Sequence, residues 1–165
     1  MIFVTVGTHE QQFNRLVEYM DKWAAKHEED VVIQTGYSTY EPKNCVWQKL
    51  FSYQEMSKKV AAARIVITHG GPSSFIAPLQ IGKIPIVVPR NHKFGEHVNN
   101  HQIDFCRKVA ERQRNIILVE EIYEIEDVIE NFESIVRNMA SGLTSNNKRF
   151  CEGIEKIVTE LMKME

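Results

Sequence analysis

Two short β-branched runs, Ile65-Val66-Ile67 and Ile84 to Val88, bracket Thr68-His69-Gly70-Gly71-Pro72-Ser73-Ser74. That arrangement constrains the chain more than any other feature. Runs of this kind, bounded by turn residues, are the pattern of strands covered on both faces. Gly70-Gly71 allows a tight turn and a close approach of backbone to a ligand. Ser73 and Ser74 then fall at a helix start, where free N–H groups and the positive dipole end favour an anion. A strand, a Gly-Gly turn, a helix and a second buried strand make one unit of a parallel sheet with a phosphate site at its turn.

The same alternation runs along the chain. Residues 2–6 read as a buried strand ending at Gly7, and Phe13, Leu16, Val17, Met20 and Trp23 recur at helical spacing over residues 11–26. A second strand over 31–35 stops at Gly36, residues 37–44 are loop-like, and a short strand lies near 45–47. A helix over 55–63 feeds the strand 64–68. After Pro89, a polar loop over 90–96 precedes a helix over 97–112 and a last strand over 116–119. Amphipathic helices over 122–139 and 146–164 close the chain. This order predicts an α/β fold, a Rossmann-like doubly wound parallel sheet. It forms a single domain, with residues 1–120 as core and 121–165 as a helical tail.

Ligands of such sheets lie beyond the carboxyl ends of the strands. Four polar turns fall on that rim: Gly7-Thr8-His9, Gly36-Tyr37, His69-Gly70-Gly71 and Arg90-Asn91-His92. Thr8 and the N–H groups beside Gly7 then face the cleft, and His9 or Glu10 is a candidate base. Arg90 and Lys93 are candidates for phosphate contact. His92, His97 and His101 invite a metal-hydrolase reading, since His97 and His101 are one helical turn apart. No carboxylate completes that set, so no metal is assigned. Nor does a suitable loop carry an Asp-x-Asp pair to hold a metal-bound diphosphate.

Composition narrows the remaining classes. A net charge of −2, with 20 basic and 22 acidic residues interspersed, leaves no footprint for nucleic acid. The three cysteines lack C-x-x-C spacing and read as reduced. No apolar run approaches the ~20 residues that span a bilayer, and the first strand begins without a signal peptide. A cytoplasmic protein is expected, reaching a membrane only through a partner.

From Phe51 to Ile103 the chain resembles the nucleotide-sugar-binding half of GT-B glycosyltransferases. The resemblance rests on a box shared with plant-type UDP-sugar transferases, here Phe51, Gln54, His69, Gly71, Ser74, Gly82 and Pro85, with the family's interval from Gln54 to His69. It implies that Phe51 stacks on uracil and that His69 and Ser74 contact the diphosphate. Glu96 and His97, with Asn100 and Gln102, would meet the sugar hydroxyls. The family's ribose-binding Glu, eight residues after the box histidine, is replaced here by Ala77.

Nearly the whole chain is similar to a narrower group, the PssE-like subunits of bacterial exopolysaccharide and capsule glycosyltransferases. That group includes capsular β-1,4-galactosyltransferases and is related to the catalytic subunit of the dolichol-linked UDP-GlcNAc transferase. The likeness implies an inverting, metal-independent transferase moving a sugar, with galactose the first guess, from UDP to a lipid-linked saccharide. UDP-sugar is then a substrate, and no cofactor is implied. It also implies a membrane-associated PssD-like partner holding the acceptor, since one sheet supplies half a GT-B cleft. The alternative is a non-catalytic, nucleotide-sugar-binding or accessory subunit.

Overall fold

The computed structural model describes residues 1–139. Six parallel strands form one sheet: β1 (Ile2–Thr5), β2 (Val31–Gln34), β3 (Val46–Gln48), β4 (Ile65–His69), β5 (Ile86–Val88) and β6 (Ile117–Leu118). Their order is β3-β2-β1-β4-β5-β6. β1 is central, pairing Ile2 with both Val31 and Ile65. Every residue of β1, β2, β4 and β5 is buried, which is why these strands read as apolar runs without alternation.

Helices α1 (Asn14–Ala24), α2 (Tyr53–Ala62), α3 (Pro72–Gln80) and α4 (His101–Gln113) cross between the strands. One face of the sheet packs on α1 through Phe13, Leu16, Val17, Met20 and Trp23. On the other face, Phe3, Val32 and Val66 meet Val60 and Ala63, while Phe75, Leu79 and Cys106 cover Val87. The doubly wound parallel sheet predicted from the alternation is therefore the fold.

Several boundaries moved for identifiable reasons. α1 starts three residues later than its periodicity predicts. The carbonyls of Gln11 and Gln12 accept from the buried Arg90 guanidinium, and Phe13 N–H donates to Ser38 Oγ. α2 starts earlier, at Tyr53, because Ser52 and Glu55 form a capping box. α4 starts at His101 rather than 97, since Glu96 is drawn into the interior and Asn100 Oδ1 accepts from His92 N–H. The predicted helix over 122–139 is broken into a 3-10 turn at Ile122–Glu124, α5 (Ile125–Glu130) and α6 (Phe132–Arg137). Asn131 makes the break, turning its side-chain amide back to the Asp127 carbonyl. The helix expected over 146–164 lies outside the described residues.

Candidate functional site

Strand order reverses between β1 and β4, so their following loops leave toward opposite faces and open a crevice at the carboxyl end of the sheet. A cleft of about 370 Å³ occupies this position. Gly7, Thr8 and His9 line it from the β1 turn, and His69, Ser73 and Ser74 line it from the β4 turn. Phe51 closes one side, with Thr5, Gln34 and Met56 beneath. The turns predicted from the two Gly-containing segments thus meet at one crevice.

His69 organises it. The ring is 8% exposed and sits between two glycines: a Cβ on Gly7 would lie 2.3 Å from Nε2, and one on Gly71 2.2 Å from Cε1. Gly7 also has φ +76°, which favours glycine by itself. Gly70 meets α4 instead, where a Cβ would lie 2.9 Å from Cys106 Sγ. The glycines of this site therefore make room for a histidine and a helix, where the sequence suggested room for ligand.

Gly71 N–H donates to His69 Nδ1 at 3.0 Å, and Ser74 Oγ lies 2.8 Å from Nε2. Burial, then the nearby Arg90 charge, pushes the His69 pKa down to about 4. The ring is neutral near pH 7, and with Nδ1 accepting, its one proton sits on Nε2 and is donated to Ser74 Oγ. The Ser74 hydroxyl hydrogen is then free to point into the cleft. His69 lines the cleft, where the resemblance implied diphosphate contact, and also supports Ser74 through Nε2. No side chain caps α3, and Pro72 at its first position carries no N–H. The hydroxyls of Ser73 and Ser74 and the Ser73 N–H provide the donors at this helix start.

The other expected residues divide. Phe51 lines the cleft, yet its ring also packs 6.2 Å from Phe3, with Lys59 Nζ 4.6 Å from the ring centroid. Gln54 is exposed in the first turn of α2, outside the cleft lining. Glu10 is likewise exposed and outside it, whereas His9 is within.

Glu96 requires correction. It is fully buried, with Arg15 Nε 2.9 Å from Oε1 and Arg15 Nη2 3.0 Å from Oε2. Asn91 N–H also donates to Oε2. The carboxylate is occupied in bracing the 90–96 loop and lies outside the cleft lining. Gln102 is buried and accepts from Arg90 N–H, and Asn100 accepts from His92 N–H. Both hold the loop rather than the cleft.

Arg90 is also internal. Its guanidinium, fully buried, donates to the carbonyls of Val6, Gln11, Gln12 and Glu96, tying the β1 turn to the loop after β5. Nε is left without a partner, but the whole group is buried and presents no surface to a phosphate on the rim.

His97 forms a column with His9 and His101, with ring centroids 4.8 and 4.4 Å apart. Burial, then His101, lowers the His97 pKa. His92 turns its Nδ1 to the His97 carbonyl, so His92, His97 and His101 do not converge as a ligand set. Among the described residues, the grouping with three metal-capable atoms close together is His27, Glu126 and Glu130, near the C-terminal end of α1 and in α5.

Sequence reasoning missed Gln34 and Thr5. Gln34 Nε2 donates to Thr5 Oγ1, and its Oε1 accepts from Phe51 N–H at 3.0 Å. One buried amide thus fixes both the floor of the cleft and its aromatic wall. Its signal was a single polar residue at the carboxyl end of the apolar run Val31-Val32-Ile33.

A groove of about 410 Å³ continues from the cleft between α2 and α3, sharing Thr5, Met56, Ser73 and Ser74 with it. Ala77 lies in its wall, beside Gln80 of the next helical turn and opposite Tyr53 and Ser57.

No curated protein matches the chain. Among solved structures it is similar to the glycosyltransferase SnogD from Streptomyces nogalater, with a TM-score of 0.46 and 18% identity. That alignment covers 72% of this chain and 31% of SnogD, so the chain spans about a third of that enzyme's length. The glycosyltransferase family 28 C-terminal domain matches residues 1–162, and the chain belongs to that family.

Proposed function

We propose that this chain is the donor-binding part of a UDP-sugar glycosyltransferase. The observation that carries the reading is the meeting of the Gly7-Thr8 turn with the uncapped start of α3, where neutral His69 holds Ser74. Hydroxyls and a helix N-terminus placed at a sheet switch point suit a diphosphate. The diphosphate lies against Ser73, Ser74 and Thr8, and the nucleoside base against Phe51. The ribose enters the groove between α2 and α3, where Gln80 and Ser57 offer the polar contacts that Ala77 does not.

In the reaction, an acceptor hydroxyl attacks the anomeric carbon from the face opposite UDP. The bond from that carbon to the β-phosphate oxygen breaks, configuration inverts, and the hydroxyl proton passes to a base. Negative charge developing on UDP is met by the α3 donors, without a metal. Within the cleft, the remaining titratable side chain is His9, since both ring nitrogens of His69 are engaged. The exposed His9 Nδ1 accepts from Gln11 N–H and gives up that bond to take the proton. Otherwise the base comes from an acceptor-binding partner.

The remaining proposals follow from the resemblance. They are transfer of galactose to a lipid-linked saccharide in exopolysaccharide or capsule synthesis, and a membrane-associated PssD-like partner. The chain would then act at the inner face of the cell membrane. No helix among the described residues is long and apolar enough to cross a membrane.

One observation favours the alternative of a non-catalytic, donor-binding subunit: the Glu96 carboxylate is committed to Arg15. A panel of UDP-sugars with a lipid-linked acceptor, with and without partner membranes, tests the proposal. Partner-dependent transfer abolished by Ser74→Ala supports it. Transfer that survives alanine at His9, Ser73 and Ser74 together would leave the accessory reading standing.

A further inference from the structure

Beyond the carboxyl ends of β2 and β3 lies a second recess, of about 480 Å³. It falls outside the donor cleft, and its walls differ in kind. Three aromatic side chains line it, Tyr37, Tyr40 and Trp47, together with Glu41 and Lys49. Tyr37 is 53% exposed.

The loop that builds the recess is held unusually firmly for a surface segment. Asp21, 1% exposed, accepts from Lys43 N–H, Asn44 N–H, the Asn44 amide and the Tyr40 hydroxyl. Asn14 Oδ1 accepts from the N–H groups of Thr39 and Tyr40. Trp47 Nε1 donates to the Pro42 carbonyl. Both Tyr40 and Trp47 are therefore locked at their polar tips, which orients their rings without spending those bonds on a ligand.

We propose that this recess is a saccharide subsite, taking one or two sugar units of the acceptor. The inference rests on the transferase reading above. Rigid aromatic faces suit the C–H faces of a pyranose, while Glu41 can accept and Lys49 can donate hydrogen bonds to its hydroxyls. Both are exposed and so accessible to a ligand in the recess.

Position supports the same occupant. Gly36, in the recess wall, packs on the Gly7 turn so closely that a Cβ would lie 2.6 Å from Gly7 O. Leu50 lines the recess and its neighbour Phe51 lines the donor cleft. A saccharide in the recess therefore lies next to the donor cleft, on the same rim of the sheet.

The test is a pair of amide and indole NMR titrations of the full chain. In the first, the probes are cellobiose, lactose and N,N′-diacetylchitobiose. Shifts of Tyr37–Glu41 and the Trp47 indole N–H, saturating at millimolar concentration as expected of a small rigid site, are the predicted result. Tyr37→Ala, a change at an exposed side chain, should abolish them while leaving UDP shifts intact. Absence of shifts there with all three sugars overturns the subsite, as do shifts that persist in the variant. The second titration uses UDP alone and reads Thr8 and Ser73–Ser74. Its failure would count against the donor reading independently of the sugar result.

Discussion

His69 Nε2 lies 2.8 Å from Ser74 Oγ, and this contact makes a buried, neutral imidazole the support for a hydroxyl at the start of α3. Ser74→Ala removes the donor and leaves the imidazole N–H unpaired. A fall in UDP affinity of about tenfold, equivalent to ~1.4 kcal/mol, is expected by calorimetry, with a comparable loss of stability. Unchanged affinity would remove Ser74 from the site.

The same histidine makes folding sensitive to acid. Its pKa falls from 6.5 to about 4 on folding, so the unfolded chain binds more protons between those values. The stabilisation is fully present above pH 6.5 and is lost as pH falls through that window to about 4. The depressed His97 pKa acts in the same direction. The urea midpoint should therefore drop between pH 7 and pH 4.5. His69 should titrate near pH 4 by NMR, and a midpoint near 6.5 would contradict its burial.

Two glycine substitutions separate backbone strain from steric conflict. At Gly82, with φ +78° and nothing within 4 Å of a built Cβ, alanine meets only the left-handed penalty, about 1 kcal/mol. At Gly7, with φ +76° and the His69 ring in the way, the cost should exceed that by a further ~1–3 kcal/mol. Denaturant midpoints of the two variants measure the difference.

Glu96 and Arg15 give a test of structural against sugar-binding roles. Glu96→Gln and Arg15→Met should each destabilise the chain by about 3 kcal/mol, and the double variant by much less than the sum. Since Arg15 is absent from the cleft lining, a loss of sugar selectivity in Glu96→Gln alone would restore the sugar contact.

Asp21→Asn should loosen the 37–44 loop, because its carboxylate holds two backbone N–H groups, an amide and a tyrosine hydroxyl. Charge-assisted bonds of this kind contribute ~1.5–3 kcal/mol each in favourable cases. Faster hydrogen exchange confined to Tyr40–Asn44, with global stability falling less, is the expected outcome.

What the sequence determined by itself was local and periodic. Apolar runs such as Ile65-Val66-Ile67, alternating with helical segments, suit strands of a parallel sheet covered on both faces. Glycines at their carboxyl ends mark turns on one rim, and the alternation of strand and helix carries the doubly wound order. The Gly7 and Gly71 turns were legible for that reason, as was the hydroxyl-rich start of α3.

Tertiary structure decided which polar groups remain available. Arg90, Glu96 and Gln102 read as candidates for ligand contact, and only packing shows that all three are buried. The Arg90 N–H donates to Gln102, its guanidinium to the Glu96 carbonyl, and the Asn91 N–H to the Glu96 carboxylate. A charge must find partners when water is removed, and those partners (Arg15, Val6, Gln11) come from distant parts of the chain. The Gly70-Gly71 turn kept its place at the site. Its absent side chains serve His69 and α4, however, and the hydroxyls beside it face the crevice.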